Sequence, residues 1–176
     1  NQTYYGEDLD GDGEDETAWW MTLDANGQWT EYGSVSEEDG EYAATAAPQY
    51  DAEGNLLLVE IDWNDDGSID LYVSYTYDAS GNALTMEWDY YGDGVDDIWI
   101  FEYDDEGNRT SESLDSGADG DLDEIYTYMF DENGNTTYYG EDLDADGTDD
   151  SSQSTTYDDW GNVMWHVQDE DGDGSY

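Results

Sequence analysis

Bulky apolar side chains recur at every second position in short stretches of this chain, and an acidic, glycine-bearing turn closes each stretch. The sets Trp19, Met21, Leu23; Val73, Tyr75, Tyr77; Trp99, Phe101, Tyr103; and Tyr126, Tyr128, Phe130 share that spacing. Small, polar or variable residues stand between them. A period of two is that of a strand with one buried face. Gln153, Thr155 and Tyr157 keep the spacing with less apolar character. The stretches that follow the turns, such as Leu57, Val59, Ile61 and Leu84, Met86, Trp88, are also strand-like, but their alternation is less regular. No segment shows a 3.6-residue period, so the pattern predicts an all-β protein without helix.

The turns repeat. An aromatic or leucine, then Asp-x-x-Gly, then Asn or Gln, occurs six times, with the glycine at Gly27, Gly54, Gly81, Gly107, Gly134 and Gly161. The spacings are 27, 27, 26, 27 and 27 residues, a regularity that chance does not produce. The units are 1-27, 28-54, 55-81, 82-107, 108-134 and 135-161, with a partial unit at 162-176, so residues 1-176 read as a single repeat array. Each unit predicts two short antiparallel strands joined by a turn in which the aspartate bonds its own backbone and the glycine accepts positive φ. The opening NQTYYGEDLDGDG aligns with NTTYYGEDLDADG from Asn135. The sequence thus opens in phase and stops within a unit, as expected of a segment of a longer array or a subunit completed by its neighbours.

A second motif lies between the two strands of a unit. Asp62, Asn64, Asp66 and Asp70 occupy positions 1, 3, 5 and 9 of a loop with Gly67 at position 6. Short oxygen-bearing side chains at that spacing, a glycine for the sharp bend and a backbone carbonyl at position 7 are what a calcium loop requires. Asp8, Asp10, Asp12 and Glu16 repeat the scheme, as do Asp142, Asp144, Asp146 and Asp150. Asp89, Asp93 and Asp97 follow it with Tyr91 at position 3, and Asp115, Asp119 and Asp123 with Gly117 there. In the second unit Val35, Glu37, Asp39 and Ala43 are degenerate, and the last loop offers Asp169, Asp171 and Asp173. Position 12 is Trp19 or Val73, inside a strand, which excludes an EF-hand with its bidentate glutamate and flanking helices.

The nine-residue loops resemble those of integrin-type and related FG-GAP β-propeller repeats. The turns, as in Tyr75-Thr-Tyr77-Asp78-Ala-Ser-Gly81-Asn82 and Tyr126-Thr-Tyr128-Met-Phe130-Asp131-Glu-Asn-Gly134-Asn135, resemble YD, or RHS-type, repeats of bacterial surface proteins. The loop resemblance implies bound Ca²⁺, several ions per chain, and the turn resemblance implies a secreted or surface β-hairpin array.

Composition narrows the partners. The chain has 50 Asp plus Glu against 1 Lys plus Arg, a formal charge of -49. Such a polyanion repels phosphate backbones and acidic headgroups, so nucleic acid is excluded as a partner, and the short apolar runs exclude membrane insertion. High charge would also suggest disorder, but 17 Tyr and 8 Trp suit half-buried pleated surfaces. With no cysteine there is no disulfide or thiolate chemistry. Asn1 opens no signal peptide, so an export signal was removed or the numbering begins within a longer chain. His166 sits beside Trp165 in a predicted strand, and among 50 acids no pair stands out for general acid and base work, so no enzyme is expected. Asn1, Asn108 and Asn135 begin Asn-x-Thr acceptor patterns for glycosylation, all at the same phase of the repeat, where asparagine is also favoured after the turn glycine.

Together these features predict tandem 27-residue antiparallel β-hairpin repeats in an open or polymerised array. The expected role is a calcium-stabilised extracellular structural protein that self-associates as part of a cell-surface filament, stalk or matrix. The alternative is a calcium-dependent adhesin or carbohydrate-binding module whose tryptophans and tyrosines stack on glycans.

Overall fold

The computed structural model describes residues 2–7, 17–36 and 42–172. Thirteen strands follow one another: β1 (Gln2–Glu7), β2 (Thr17–Leu23), β3 (Trp29–Ser36), β4 (Tyr42–Tyr50), β5 (Leu56–Asp62), β6 (Leu71–Tyr77), β7 (Ala83–Tyr90), β8 (Asp97–Tyr103), β9 (Arg109–Ser116), β10 (Glu124–Phe130), β11 (Thr136–Asp142), β12 (Ser151–Tyr157) and β13 (Val163–Asp169). They form one antiparallel sheet whose strand order is the sequence order. Among the described residues there is no helix, and hence none long and apolar enough to cross a membrane. The all-β hairpin array expected from the alternation is what the chain forms.

Each Asp-x-x-Gly-Asn turn is closed by the same set of bonds. In the turn after β6, Asp78 N–H donates to the Asn82 carbonyl at 2.9 Å, and Gly81 N–H donates to the Asp78 carbonyl at 3.1 Å. The Asp78 carboxylate then takes the remaining donors: Oδ1 accepts Ser80 N–H at 2.8 Å and Asn82 N–H at 2.9 Å, and Oδ2 accepts the Asn82 amide at 2.9 Å. Asp51, Asp104, Asp131 and Asp158 hold Asn55, Asn108, Asn135 and Asn162 in the same way. At the first turn Gln28 replaces asparagine, and its longer amide leaves Asp24 for the Gly54 carbonyl at 3.0 Å in the next turn. The turn glycines are left-handed, with φ of 89° at Gly81 and 82° at Gly134.

The uneven alternation after the turns has a structural cause. Register shifts by one between Thr22 and Leu23, Gln49 and Tyr50, Glu102 and Tyr103, Met129 and Phe130, and Thr156 and Tyr157. The extra residue in the opposite strand is Thr30, Leu57, Thr110, Thr137 or Met164, three places after the turn glycine. A bulge of this kind moves the side chains beyond it to the other face. Leu57, expected to point with Val59 and Ile61, is therefore 40% exposed, whereas Val59 lies opposite Val73 and Ile61 opposite Leu71.

The chain divides into two compact units, Asn1–Tyr75 with Glu87–Val95 and Thr76–Met86 with Asp96–Tyr176. In the first, Val59, Leu71 and Val73 are buried; in the second, Phe101 is. No described side chain is completely enclosed. Stability therefore rests on cross-strand pairs within the sheet, each contributing a fraction of a kcal/mol, together with the turns that set the register. One close fit stands out in the first unit: the Trp20 ring lies directly against Gly33 in the opposed position of β3, where any Cβ would collide with it.

Gly134→Ala forces a side chain into the left-handed region and costs about 1–2 kcal/mol, read as a lowered urea midpoint. The carboxyls of Asp51, Asp78, Asp104, Asp131 and Asp158 are held below the ordinary 3.8, chiefly by the asparagine amides. Their contribution is present above the unfolded-state pKa and is lost as pH falls through the lowered folded-state values. Replacing Asn55, Asn82, Asn108, Asn135 and Asn162 together by alanine moves the acid-unfolding midpoint followed by circular dichroism to higher pH. An unchanged midpoint contradicts the assigned role of the amides.

Candidate metal centre

The opposite rim of the hairpins carries the aspartate loops. Loop three (62–70), loop five (115–123) and loop six (142–150) share a bend at positions 4 and 6, to which loop five adds a left-handed Gly117 at position 3, with φ of 88°. Position 4 is left-handed in each, with φ of 51° at Asp65, 48° at Ala118 and 51° at Ala145, and so is the glycine at position 6. The bend brings the N–H groups of positions 5 and 6 onto the carboxylate at position 1. Asp62 accepts Asp66 N–H at 3.3 Å and Gly67 N–H at 2.8 Å; Asp115 accepts Asp119 and Gly120 at 3.0 Å each; Asp142 accepts Asp146 at 3.2 Å and Gly147 at 2.8 Å. These three aspartates are only 3%, 5% and 3% exposed. Burial of a carboxylate is tolerated because charge-assisted N–H bonds replace its water.

The other predicted ligands have separate tasks. Asn64 and Asp144 at position 3 each accept the N–H of position 5, from Asp66 at 3.1 Å and Asp146 at 3.3 Å. Position 5 accepts from position 7: Asp66 from Ser68, Asp119 from Asp121 and Asp146 from Thr148. The carboxylates of Asp70, Asp123 and Asp150 at position 9 fold back onto the N–H of position 2, at 2.8 Å from Trp63, 2.7 Å from Ser116 and 2.8 Å from Leu143. All the predicted oxygens of these loops thus gather on one turn of chain. In loop six one carboxylate oxygen from each of Asp142, Asp144 and Asp146 lies within 4.8 Å of the others.

Loop four departs from this scheme. Its left-handed residues include Tyr91 at position 3, with φ of 70°, and Gly94 adopts 141°. Asp89 and Asp93 belong to the first compact unit and Asp97 to the second. Asp89 accepts Gly94 N–H at 3.3 Å. Asp97 is committed to the start of loop five, accepting the Ser116 hydroxyl at 2.9 Å and Gly117 N–H at 3.3 Å. In the last loop Asp169 is 3% exposed and accepts Asp171 N–H at 3.4 Å. Asp8, Asp10, Asp12, Glu16, Glu37, Asp39 and Asp173 lie outside the described residues.

The oxygen set of loop six fits a hard cation. Calcium bonds oxygen at about 2.3–2.6 Å, so ligands on opposite sides of one ion stand about 5 Å apart. With carboxylate and carbonyl oxygens and no thiolate, the loop lacks the softer donors that favour transition metals. Like charges already oppose one another there: Asp146 first, then burial and the Asp150 and Asp142 carboxylates, hold the Asp144 carboxyl above its ordinary 3.8.

Some interactions carried no signal in the loop motif. Asp149, at position 8, lies over the bare Cα of Gly140 and accepts the Tyr138 hydroxyl. Tyr126 donates to Glu124 and Tyr139 to Glu141, each at 2.7 Å. Their spacing of two residues on one strand face was the available clue. The asparagines of the Asn108 and Asn135 acceptor patterns are clamped by Asp104 and Asp131, and Thr110 and Thr137 are the bulge residues, so the turn itself accounts for that pattern.

No protein-family model and no curated protein sequence matches the chain significantly. Among solved structures, TcdB2-TccC3-TEV is similar with a TM-score of 0.52 and 15% identity over 90% of this chain and 10% of that one. TcdB2-TccC3 without its hypervariable C-terminal region gives 0.52 and 15% over 89% and 10%. A porin-like protein from Bacteroides uniformis gives 0.49 and 14% over 81% and 53%. The chain therefore spans about a tenth of the TcdB2-TccC3 chains, and the likeness to them is one of fold.

A substitution at position 3 of loop six separates the two forces there. Asp144→Asn removes repulsion and keeps an oxygen, so in EDTA the variant melts at or above the parent temperature, while in millimolar calcium it melts below it. Scanning calorimetry in both buffers gives the comparison; a variant below the parent in both refutes the repulsion assigned to Asp144.

Proposed function

We propose that this chain is a calcium-stabilised extracellular structural protein, a YD/RHS-type hairpin array whose opposite rim carries calcium loops of the integrin and FG-GAP kind. The observation that carries this reading is the repetition of one set of bonds in loops three, five and six, each with a buried first aspartate and left-handed residues at positions 4 and 6. An acidic surface turn that arose by chance has no reason to reproduce those bonds and that pair of left-handed positions three times. Asp62, Asn64, Asp66 and Asp70; Asp115, Asp119 and Asp123; and Asp142, Asp144, Asp146 and Asp150 are the residues that hold the ions, with the fourth, first and last loops as further sites.

Bound calcium would neutralise converging carboxylates on a chain of charge -49 whose apolar interior is thin. Loops of extracellular modules bind calcium at about 10⁻⁴–10⁻³ M, which calls for the millimolar calcium found outside cells. A sheet in which each hairpin meets chiefly its sequence neighbours can be extended unit by unit. That property suits a filament, stalk or matrix formed by self-association, and it supports a structural rather than a catalytic role. The exposed rings of Tyr91, at 70%, and Trp160, at 85%, favour the second reading, a calcium-dependent adhesin that stacks on glycans.

Calorimetric titration and melting test the calcium role together. Stoichiometric uptake is expected, and each site held at free calcium ~100-fold above its Kd adds ~2.7 kcal/mol to the folded state, so excess EDTA lowers the melting temperature markedly. No uptake and an unchanged melt would refute it. Electron micrographs of calcium-loaded protein distinguish the two readings: regular fibres support the structural one, and a monodisperse monomer that binds a glycan array supports the adhesin.

A further inference from the structure

One face of the second unit carries rings and carboxylates in alternation. Register sets Trp99 opposite Leu114, Phe101 opposite Glu112, Glu112 opposite Tyr126, Tyr126 opposite Glu141 and Tyr128 opposite Tyr139, so these side chains share a face from β8 to β11. The rings associate: Trp99 stacks on Tyr126 with centroids 6.3 Å apart, and Tyr128 meets Tyr139 at 5.3 Å. The phenols orient the acids, with Tyr128 donating to Glu112, Tyr126 to Glu124 and Tyr139 to Glu141 at 2.7 Å each. The bond to Glu124, with burial, pushes the Tyr126 hydroxyl up to about 12, and burial, with the bond to Glu112, does the same for Tyr128.

Arg109, the one Lys or Arg in the chain, is seated on this face. Its guanidinium lies 4.5 Å above the Phe101 ring, and Nη1 is 3.2 Å from Glu112 Oε2. Covered in this way, Phe101 is 8% exposed. The contact combines a cation over an aromatic ring with a charge-assisted hydrogen bond, the geometry in which arginine outperforms lysine. The ring-beside-carboxylate arrangement recurs at Tyr126 with Glu124 and at Tyr139 with Glu141, where the chain supplies no second arginine. Glu141 Oε2 also accepts the Ser151 hydroxyl at 2.8 Å; each carboxylate oxygen has two acceptor directions, so these bonds leave capacity for a further donor. Three glutamates against one arginine leave the face with a charge of -2, within a chain of -49.

We infer that this face of β9, β10 and β11 binds an arginine-bearing basic polypeptide, whose guanidinium groups lie over Tyr126 and Tyr139 as Arg109 lies over Phe101 and bond Glu124 and Glu141. The site is made of strand residues and does not rest on the calcium loops. Complementary charge selects the partner: a neutral glycan could stack on the rings and donate hydroxyls to the acids, but it would leave their charge unbalanced.

The test uses the full chain in calcium, with octa-arginine as the probe and tryptophan fluorescence as the readout. Because any polyanion collects polycations, two pairs of equal charge change are compared: Glu124→Gln with Glu141→Gln on the face, and Glu106→Gln with Glu132→Gln at the turn tips. The face pair is expected to weaken binding about tenfold and the tip pair less than twofold. Tyr126→Leu with Tyr139→Leu is expected to match the face pair. The glutamine pair preserves shape and decides the matter if the leucine pair does not fold. Equal losses in the two glutamine pairs overturn the proposal as diffuse attraction, as does undiminished binding in a folded leucine pair. Binding of cellohexaose without binding of octa-arginine overturns it in favour of a glycan surface. Calcium uptake is measured separately, so either outcome here leaves the loop assignment standing or falling on its own data.

Discussion

The backbone N–H groups of a tight bend need acceptors, and in this chain aspartate carboxylates provide them at both rims of the hairpins. At one rim Asp78 and its equivalents collect two backbone N–H groups and an asparagine amide. At the other, Asp62, Asp115 and Asp142 collect the N–H groups of positions 5 and 6. Side-chain bonds to nearby backbone compete with regular structure when they fall inside a helix or strand, but at chain reversals they determine where a strand stops. The 27-residue period is the distance at which these two kinds of bend recur.

With both rims set locally, the strands between them need only a modest apolar interior. Val59, Leu71, Val73 and Phe101 are the buried hydrophobic residues among those described, and the remaining rings range from half covered to largely exposed, as at Tyr91 and Trp160. Ordering so acidic a chain on so little apolar area places unusual weight on electrostatic relief. The two rims differ in this respect. The turn aspartates are stabilised as anions by amide donors, whereas Asp144 faces Asp146 and is held up by it. On the loop rim the charge is concentrated at loop six, where Asp146 opposes Asp144, whereas Asp66 of loop three is held below its ordinary value by its bonds to Ser68; a cation would relieve the repulsion at loop six. Fold likeness to TcdB2-TccC3 fits the hairpin array and does not bear on what the loops hold.

Much of this was legible in the sequence, because local bonds are encoded locally. Asp-x-x-Gly-Asn names its donors, its acceptor and its left-handed residue within five positions, and the aspartates of loops three, five and six specify their own bend in the same way. Alternation before the turns likewise identified the face bearing Trp99, Phe101, Tyr126 and Tyr128. Where an interaction closes within one bend or one strand, spacing alone is enough to recognise it.

Tertiary structure decided what depends on strands meeting. The bulge at Leu57, Thr110 and Thr137 exists only when two strands are in register, so alternation along one strand could not locate it. Asp97 matches a ligand position by spacing, yet it serves Ser116 and Gly117, 19 and 20 residues away. Arg109 over Phe101 and beside Glu112 also required β8 and β9 to pair. The sequence by itself determined the hairpins, their turns and the aspartate bends, since each rests on bonds among a few consecutive residues; the pairing of strands decided which side chains became neighbours across the sheet, since those contacts join residues that no local spacing relates.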